Sequence, residues 1–276
     1  MRAVRIEDDS AAQPVEDVPA VSWLLCTHVA DEQLRQAMQS CLNQSFTDFE
    51  LLVVVNGASA NDVAARVRLW FGGDSRVRLL ITEVRHLTFS LGLGVHCARA
   101  DLIARMDGDD LSRPDRLKRQ VEFMELHPEI TVLGSAYDLI DCDGILQQTV
   151  LLPTEDSGIR KALFRGNPIC HPSVMFRRDA VLAIGGYLGG IYAQDYDLWA
   201  RLAANPNNRF ANLCEVCLSY RTEGAGRARR SRRAYASMAA SQFRNFVQSA
   251  GFAWGLAALL STAKAFVYSV PIRPKM

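Results

Sequence analysis

Near-continuous apolar runs, each followed by a segment of helical periodicity, constrain this chain more than any other feature. Phe49 to Val55 (FELLVVV) is apolar at every position but Glu50. A strand with one wet face would alternate, so this run is expected to be covered on both faces, and Asn56-Gly57 ends it. Val21 to Thr27 is a similar run, after which Asp31 is placed to cap a helix to about Asn43 with Leu34, Met38 and Leu42 on one face. The alternation continues through a helix at Asn61 to Phe71, a strand at Val77 to Ile81, a helix at Leu91 to Ala100 and a strand at Leu102 to Met106. Such repetition implies right-handed βαβ units, a mainly parallel sheet flanked by helices, and ligands bound beyond the carboxyl ends of the strands.

The pattern changes after residue 107. Pro114 is expected to open a polar-faced helix to about His127. Ile130 to Ile140 and Leu146 to Leu152 read as strands around an Asp143-Gly144 turn, and Ser157 to Phe164 as a short helix. A loop bearing Pro and His, Asn167 to Arg177, then enters a strand, and a helix from Asp195 to Ala204 follows the Gly185-Gly186 break.

Charge divides the chain where hydropathy does not. Nine of the 31 basic residues and none of the 30 acidic ones lie beyond Glu223, leaving about −8 on residues 1–223 and +9 on the rest. Residues 1–20 carry five acids and no apolar core, which excludes a signal peptide and suggests a loose, flexible N-terminal arm. Seven cysteines, an odd number in apolar stretches, point to a reducing, cytoplasmic compartment. Cys214 and Cys217 form a C-x-x-C, but no second pair at zinc spacing accompanies them.

Asp107, Asp109 and Asp110 follow a strand end within four positions. Three like charges so close repel unless a cation or tight solvation offsets them. Hard oxygen ligands of this kind suit Mg²⁺ or Mn²⁺ sharing coordination with substrate phosphates. An EF-hand loop is excluded, because Ser112 stands where the sixth-position Gly belongs and Leu111 where an oxygen ligand belongs. A solvated acidic turn before the next helix is the remaining structural alternative.

Five stretches occur together, in order: Ser40 to Glu50 (SCLNQSFTDFE), Ala104 to Asp110 (ARMDGDD), Arg113 to Leu117 (RPDRL), Asn167 to Met175 (NPICHPSVM) and Gln194 to Trp199 (QDYDLW). From Val21 to about Arg221 the chain thereby resembles the family 2 glycosyltransferases, an inverting class with the GT-A fold. The resemblance implies a catalytic domain at 21–223 and a nucleoside-diphosphate sugar donor, with uridine the first choice of base. Asp109 would be the principal metal ligand and Asp107 a metal or ribose contact. Thr27, His28 and Asn56 take the positions around the nucleotide, with the His28 imidazole where the family has an aromatic wall. Asp195 would be the general base that deprotonates an acceptor hydroxyl, with Asp197 a nearby competitor and a helix N-cap as its structural role. His171 and Trp199 fall on the acceptor side, though a buried hydrogen-bonding His and a core Trp are the simpler roles. Gln194 replaces the first member of the family's Glu-Asp pair.

Two other classes compete. A catalytically silent nucleotide- or glycan-binding relative would explain the altered nucleotide motifs, but Asp107, Asp109 and Asp195 are retained. A nucleotidyltransferase would need a Gly-rich basic phosphate loop near the N-terminus, which Cys26-Thr27-His28 is not. The arginines after Glu223 lack the aromatic interleaving of a nucleic-acid groove, so no nucleic acid is expected. Residues 224–276 read as a basic and apolar helical extension. Gly251 to Val270 is too interrupted to span a bilayer comfortably, so it is expected to lie in the interface with Trp254 and Tyr268 at headgroup level. The alternative is helices packed on protein. The membrane case would place the chain on the inner face of the cell membrane, beside a lipid-linked saccharide acceptor.

Overall fold

The computed structural model describes residues 6–8, 18–189, 192–222, 231–249 and 251–267. Its first half follows the expected alternation: β1 (Ile6–Asp8), β2 (Val21–Thr27), α1 (Glu32–Leu42), β3 (Phe49–Asn56), α2 (Ala60–Phe71), β4 (Val77–Thr82), α3 (Leu87–Cys97) and β5 (Leu102–Asp107). Then come β6 (Leu111–Ser112), α4 (Arg116–Leu126), β7 (Ile130–Ile140), β8 (Leu146–Val150), α5 (Asp156–Leu163) and a 3-10 turn at His171–Ser173. β9 (Met175–Arg177), α6 (Arg178–Ala183), α7 (Gln194–Ala203), β10 (Arg209–Arg221), α8 (Arg232–Ser249) and α9 (Phe252–Val267) complete the order.

These strands form a ten-stranded sheet in the order β1-β4-β3-β2-β5-β9-β7-β10-β6, with β8 on β7. β4, β3, β2 and β5 run parallel, as do β7 and β10, and antiparallel β9 joins the two blocks. Because side chains alternate along a strand, β2 and β3 feed two separate cores. Trp23, Leu25, Leu51 and Val53 meet α1, α2 and α4 on one face. Leu24, Leu52 and Val54 meet α3, α5 and α7 on the other. This double coverage is why FELLVVV is apolar throughout.

Three expectations change. Ile6–Asp8, assigned to a loose arm, pair with β4 as an edge strand, held by Asp8 on Arg78 at 2.5 Å. Residues 1–5 and 9–17 of that arm lie outside the described residues. α3 begins four residues early because His86 caps it, its Nδ1 accepting from Phe89 N at 3.4 Å. Gly94 lets this helix lie close on β2, since a Cβ there would stand 2.2 Å from Leu24 Cδ1. Pro114 does not open α4; it sits in the preceding turn, where its carbonyl accepts from Ser45 N at 2.8 Å.

Arg116 instead begins α4 and is fully buried. Its guanidinium donates to the carbonyls of Arg105 (2.7 Å) and Pro172 (2.9 Å) and to Gln120 Oε1 (3.0 Å), and lies over the Trp23 ring. Burial lowers its pKa to about 10. One charged side chain therefore ties β5 to the turn containing His171. Gln44 does similar work, donating to Arg113 O at 2.8 Å and accepting from Leu117 N at 3.0 Å.

Candidate active site

Three neighbouring parallel strands end at the same level, and their last residues are Thr27, Asn56 and Asp107. The registers pair Cys26 with Asp107 and Thr27 with Val55. A cavity of about 460 Å³ opens over these ends, lined by Thr27, His28, Asn56, Asp107, Gly108 and Asp109 among others. Thr27 Oγ1 donates to Val29 O at 2.7 Å and fixes the loop that presents exposed His28. The residues assigned to the nucleotide from sequence thus face one space.

The carboxylates of Asp107, Asp109 and Asp110 offer ligand atoms that all lie within 4.8 Å of one another. Burial, followed by the charge of Asp107, raises the Asp109 carboxyl above its ordinary range. Asp110 is fully buried and is pushed higher still by burial and by both neighbours. Its Oδ1 accepts from Arg221 N at 2.8 Å, while its Oδ2 has no partner. An oxygen-only donor set under mutual repulsion, with one buried oxygen unpaired, fits Mn²⁺ or Mg²⁺. Arg221, at the end of β10, closes the loop by donating to Asp109 O (2.9 Å), Cys142 O (2.6 Å) and Gln36 Oε1 (3.1 Å). Gly108 passes close under α1, where a Cβ would stand 3.2 Å from Leu34 Cδ1.

A second cavity, of about 660 Å³, shares Asp107 with the first and contains Arg105, Asn167, His171, Tyr192 and Asp195. Asp195 is the second residue of α7, not its cap; the capping position is Ala193, a left-handed residue at φ 53°. For a residue with a Cβ that conformation costs about 1–2 kcal/mol, and it turns the start of α7 toward the cavity. Asn167 Nδ2 donates to Asp195 Oδ2 at 2.6 Å. Burial raises the Asp195 pKa, and hydrogen bonds from Tyr196 N and Asn167, with the charge of Arg105, partly offset it.

Asp197, two residues further along α7, does not line the cavity. Its oxygens are held by Arg201 Nε, Ser241 Oγ and Arg244 Nη2, each at 2.8 Å. Burial opposes its charge, but these partners keep its pKa below the ordinary range. His171 is buried, with Nε2 2.8 Å from Tyr187 Oη. Burial, then Arg105, holds its pKa well below the usual value, so the ring is neutral at ordinary pH. Trp199 is fully buried, packs edge-on to His171 at 6.0 Å and lies outside the cavity lining.

Asn167 lies in one of the five stretches and Arg221 at the end of the resemblance, and the sequence alone assigns neither a role. The signal available was the placement of a side-chain amide just before Pro168 and of an arginine at a strand end.

The C-terminal extension meets the site directly, since Arg233, Ala234 and Met238 of α8 line the second cavity, and also through α7. Gln242 Nε2 donates to Tyr196 Oη (2.7 Å) and Asn245 Nδ2 to Ala200 O (2.8 Å), beside the Asp197 ion pair. Trp254, expected at headgroup level, instead packs on Phe164 with ring centroids 4.6 Å apart. Tyr268 lies outside the described residues. Among the described residues no helix is long and apolar enough to cross a membrane.

Residues 22–185 match the family described as Glycosyl transferase family 2. The chain is similar to the O-antigen biosynthesis glycosyltransferase WbnJ of Escherichia coli, with 32% identity over 90% of this chain and 96% of that protein. It is also similar to an Escherichia coli UDP-Gal:alpha-D-GlcNAc-diphosphoundecaprenol beta-1,3-galactosyltransferase, with 24% identity over 70% of this chain and 71% of the relative. Among solved structures, the mannosyltransferase PcManGT of Pyrobaculum calidifontis, in complex with GDP-Man and Mn²⁺, superimposes with a TM-score of 0.61 at 17% identity, covering 92% of this chain and 74% of that one. This last likeness shows the GT-A fold. With well over half of the chain matched, including the strands that end in Thr27, Asn56 and the aspartate triad, the protein belongs to glycosyl transferase family 2.

Proposed function

We propose that the protein is an inverting, metal-dependent hexosyltransferase that moves a sugar from a UDP-sugar to a lipid-linked saccharide during assembly of O-antigen or a related surface polysaccharide. The observation that carries this reading is that Asp107 lines both the cavity with the nucleotide-side residues and the cavity with Asp195. A donor and an acceptor placed in the two would meet beside it. Asp109 with Asp107 would hold Mn²⁺ or Mg²⁺, which neutralises the diphosphate as it departs. Asp195 takes the proton of the acceptor hydroxyl, and attack from its side inverts the anomeric carbon. Asn167 orients that carboxylate. Asp197 is spent on Arg201 and Arg244 and is the weaker candidate for the base. The names of the two Escherichia coli relatives support polysaccharide assembly, a uridine donor and a lipid diphosphate acceptor.

The outer faces of α8 and α9 support work at a membrane surface. Phe243, Val247, Phe252, Leu259 and Phe266 are all more than half exposed, and an apolar groove of about 710 Å³ runs between the helices with Arg232 at its edge. The basic excess after Glu223 suits the anionic inner face of the cell membrane. The seven cysteines are free, in keeping with a reducing compartment.

The metal claim is tested by nucleoside-diphosphate release from UDP-sugars with Mn²⁺ or with EDTA. Asp109→Ala should abolish turnover and metal-dependent UDP binding while the fold persists; full activity in EDTA or in the variant would refute it. Asp195→Asn should lower turnover by about 10²- to 10⁴-fold with donor affinity little changed. Because the Asp195 pKa is raised, activity is present above that pKa and is lost as pH falls through it. Asn167→Ala removes a donor to the charged form, so the acid limb of kcat/KM should move to higher pH; an unmoved limb contradicts the pairing. Flotation with anionic and neutral liposomes tests the surface: the full chain should rise with anionic vesicles. A chain that stays in the soluble fraction with both, like one truncated after Glu223, would remove the membrane role.

A further inference from the structure

Arg105 lines the acceptor-side cavity and carries buried side-chain N–H groups that the fold leaves without an acceptor. On β5 the residues alternate: Ala104 and Met106 enter the core that contains Trp23 and Leu25, and Ile103 enters the core on the opposite face. Arg105 and Asp107 share that second face, two residues apart, so their side chains stand next to each other. Arg105 Nη2 donates to Asp107 Oδ1, with the Arg105 side chain only 3% exposed. Its Nε and Nη1 are buried and have no acceptor. A buried charged donor without a partner is costly and rare, and the neighbours that might have served are engaged. His171 and Tyr187 bond each other, and Asp195 Oδ2 is taken by Asn167.

Position then narrows the ligand. Arg105 lines the cavity that contains Asp195 and is absent from the one that contains Thr27, His28, Asn56 and Asp109. Asp107 is common to both, so Arg105 lies on the acceptor side of the aspartate triad. In a displacement the transferred sugar must lie between the departing diphosphate and the attacking hydroxyl. That stretch runs from Asp107 to Asp195.

We propose that Arg105 binds the transferred sugar of the donor, offering Nε–H and Nη1–H to two of its hydroxyl oxygens while Asp107 fixes the plane of the guanidinium. The inference rests on the donor reading given above and adds a determinant of sugar selection to it. The planar guanidinium matters, because Nε–H and Nη1–H leave it on different edges and so fix the positions of two separate hydroxyl oxygens in a way that a single ammonium does not.

Calorimetric titration in Mn²⁺ with UDP, and with the UDP-hexose that the wild type turns over, separates the possibilities. Arg105→Lys keeps a cation beside Asp107, and Arg105→Gln keeps two N–H donors without the charge; thermal melting reports that each is folded. Both should bind UDP within about threefold of wild type and bind the UDP-hexose about tenfold or more weakly, the effect of losing charged hydrogen bonds. A donor lacking one of the two contacted hydroxyls should bind the wild type more weakly and Arg105→Lys no more weakly than the parent donor. If Arg105→Lys loses UDP and UDP-hexose in equal measure, Arg105 serves only to hold Asp107 and the proposal is overturned while the donor reading stands. A wild-type chain that binds neither ligand would overturn both.

Discussion

Three carboxylates held within 4.8 Å at the end of a buried strand set the terms for the rest of the site. The repulsion among them is bounded on two sides. Arg105 pairs with Asp107, and Arg221 at the end of β10 donates its backbone N–H to Asp110 Oδ1 and its Nε–H to Asp109 O. The unpaired Asp110 Oδ2 and the raised pKa values of Asp109 and Asp110 express the same frustration. Such a loop keeps its shape because the strands around it, not its own contacts, determine where it goes.

The opposite wall is built by a different device. The parallel β-strand frame ends at β5, and the turn containing His171 leads the chain into antiparallel β9 beside it. Arg116 locks that turn to β5 by bonding the carbonyls of Arg105 and Pro172. α7 then enters through the left-handed Ala193, and its first turn brings Asp195 to Asn167. Behind it, Asp197 and Tyr196 bind α8, so the helix that bears Asp195 on its cavity side is braced by the C-terminal extension on its other side. α8 also lines the cavity that contains Asp195, through Arg233, Ala234 and Met238, so whatever α8 and α9 meet outside lies next to it.

The frame was legible in the sequence because parallel strands buried on both faces cannot alternate, and FELLVVV and the runs beside it do not. The triad was legible because carboxylates directly after such a strand end have few structural uses. Legibility failed where elements were too short to show a period. β6 has two residues and β9 three, and α6 has six. It failed again where the partner was distant in sequence: Asn167 and Asp195 are 28 residues apart, and Arg116 reads as the polar side of a surface helix until Trp23 and two carbonyls enclose it. The extension was half legible. Its apolar residues were evident, but the polar set Ser241, Gln242, Arg244 and Asn245 that docks α8 on α7 has no signature without α7 beside it.

In the proposed reading Asp195, which shares a cavity with Asp107, is the base of one direct displacement. The stereochemistry of transfer reads that out. With an α-linked nucleotide hexose, Mn²⁺ and an accepted saccharide, the ¹H coupling at the new anomeric centre should report a β linkage from the first turnover. An α-linked product would contradict Asp195 acting as the base of an in-line attack.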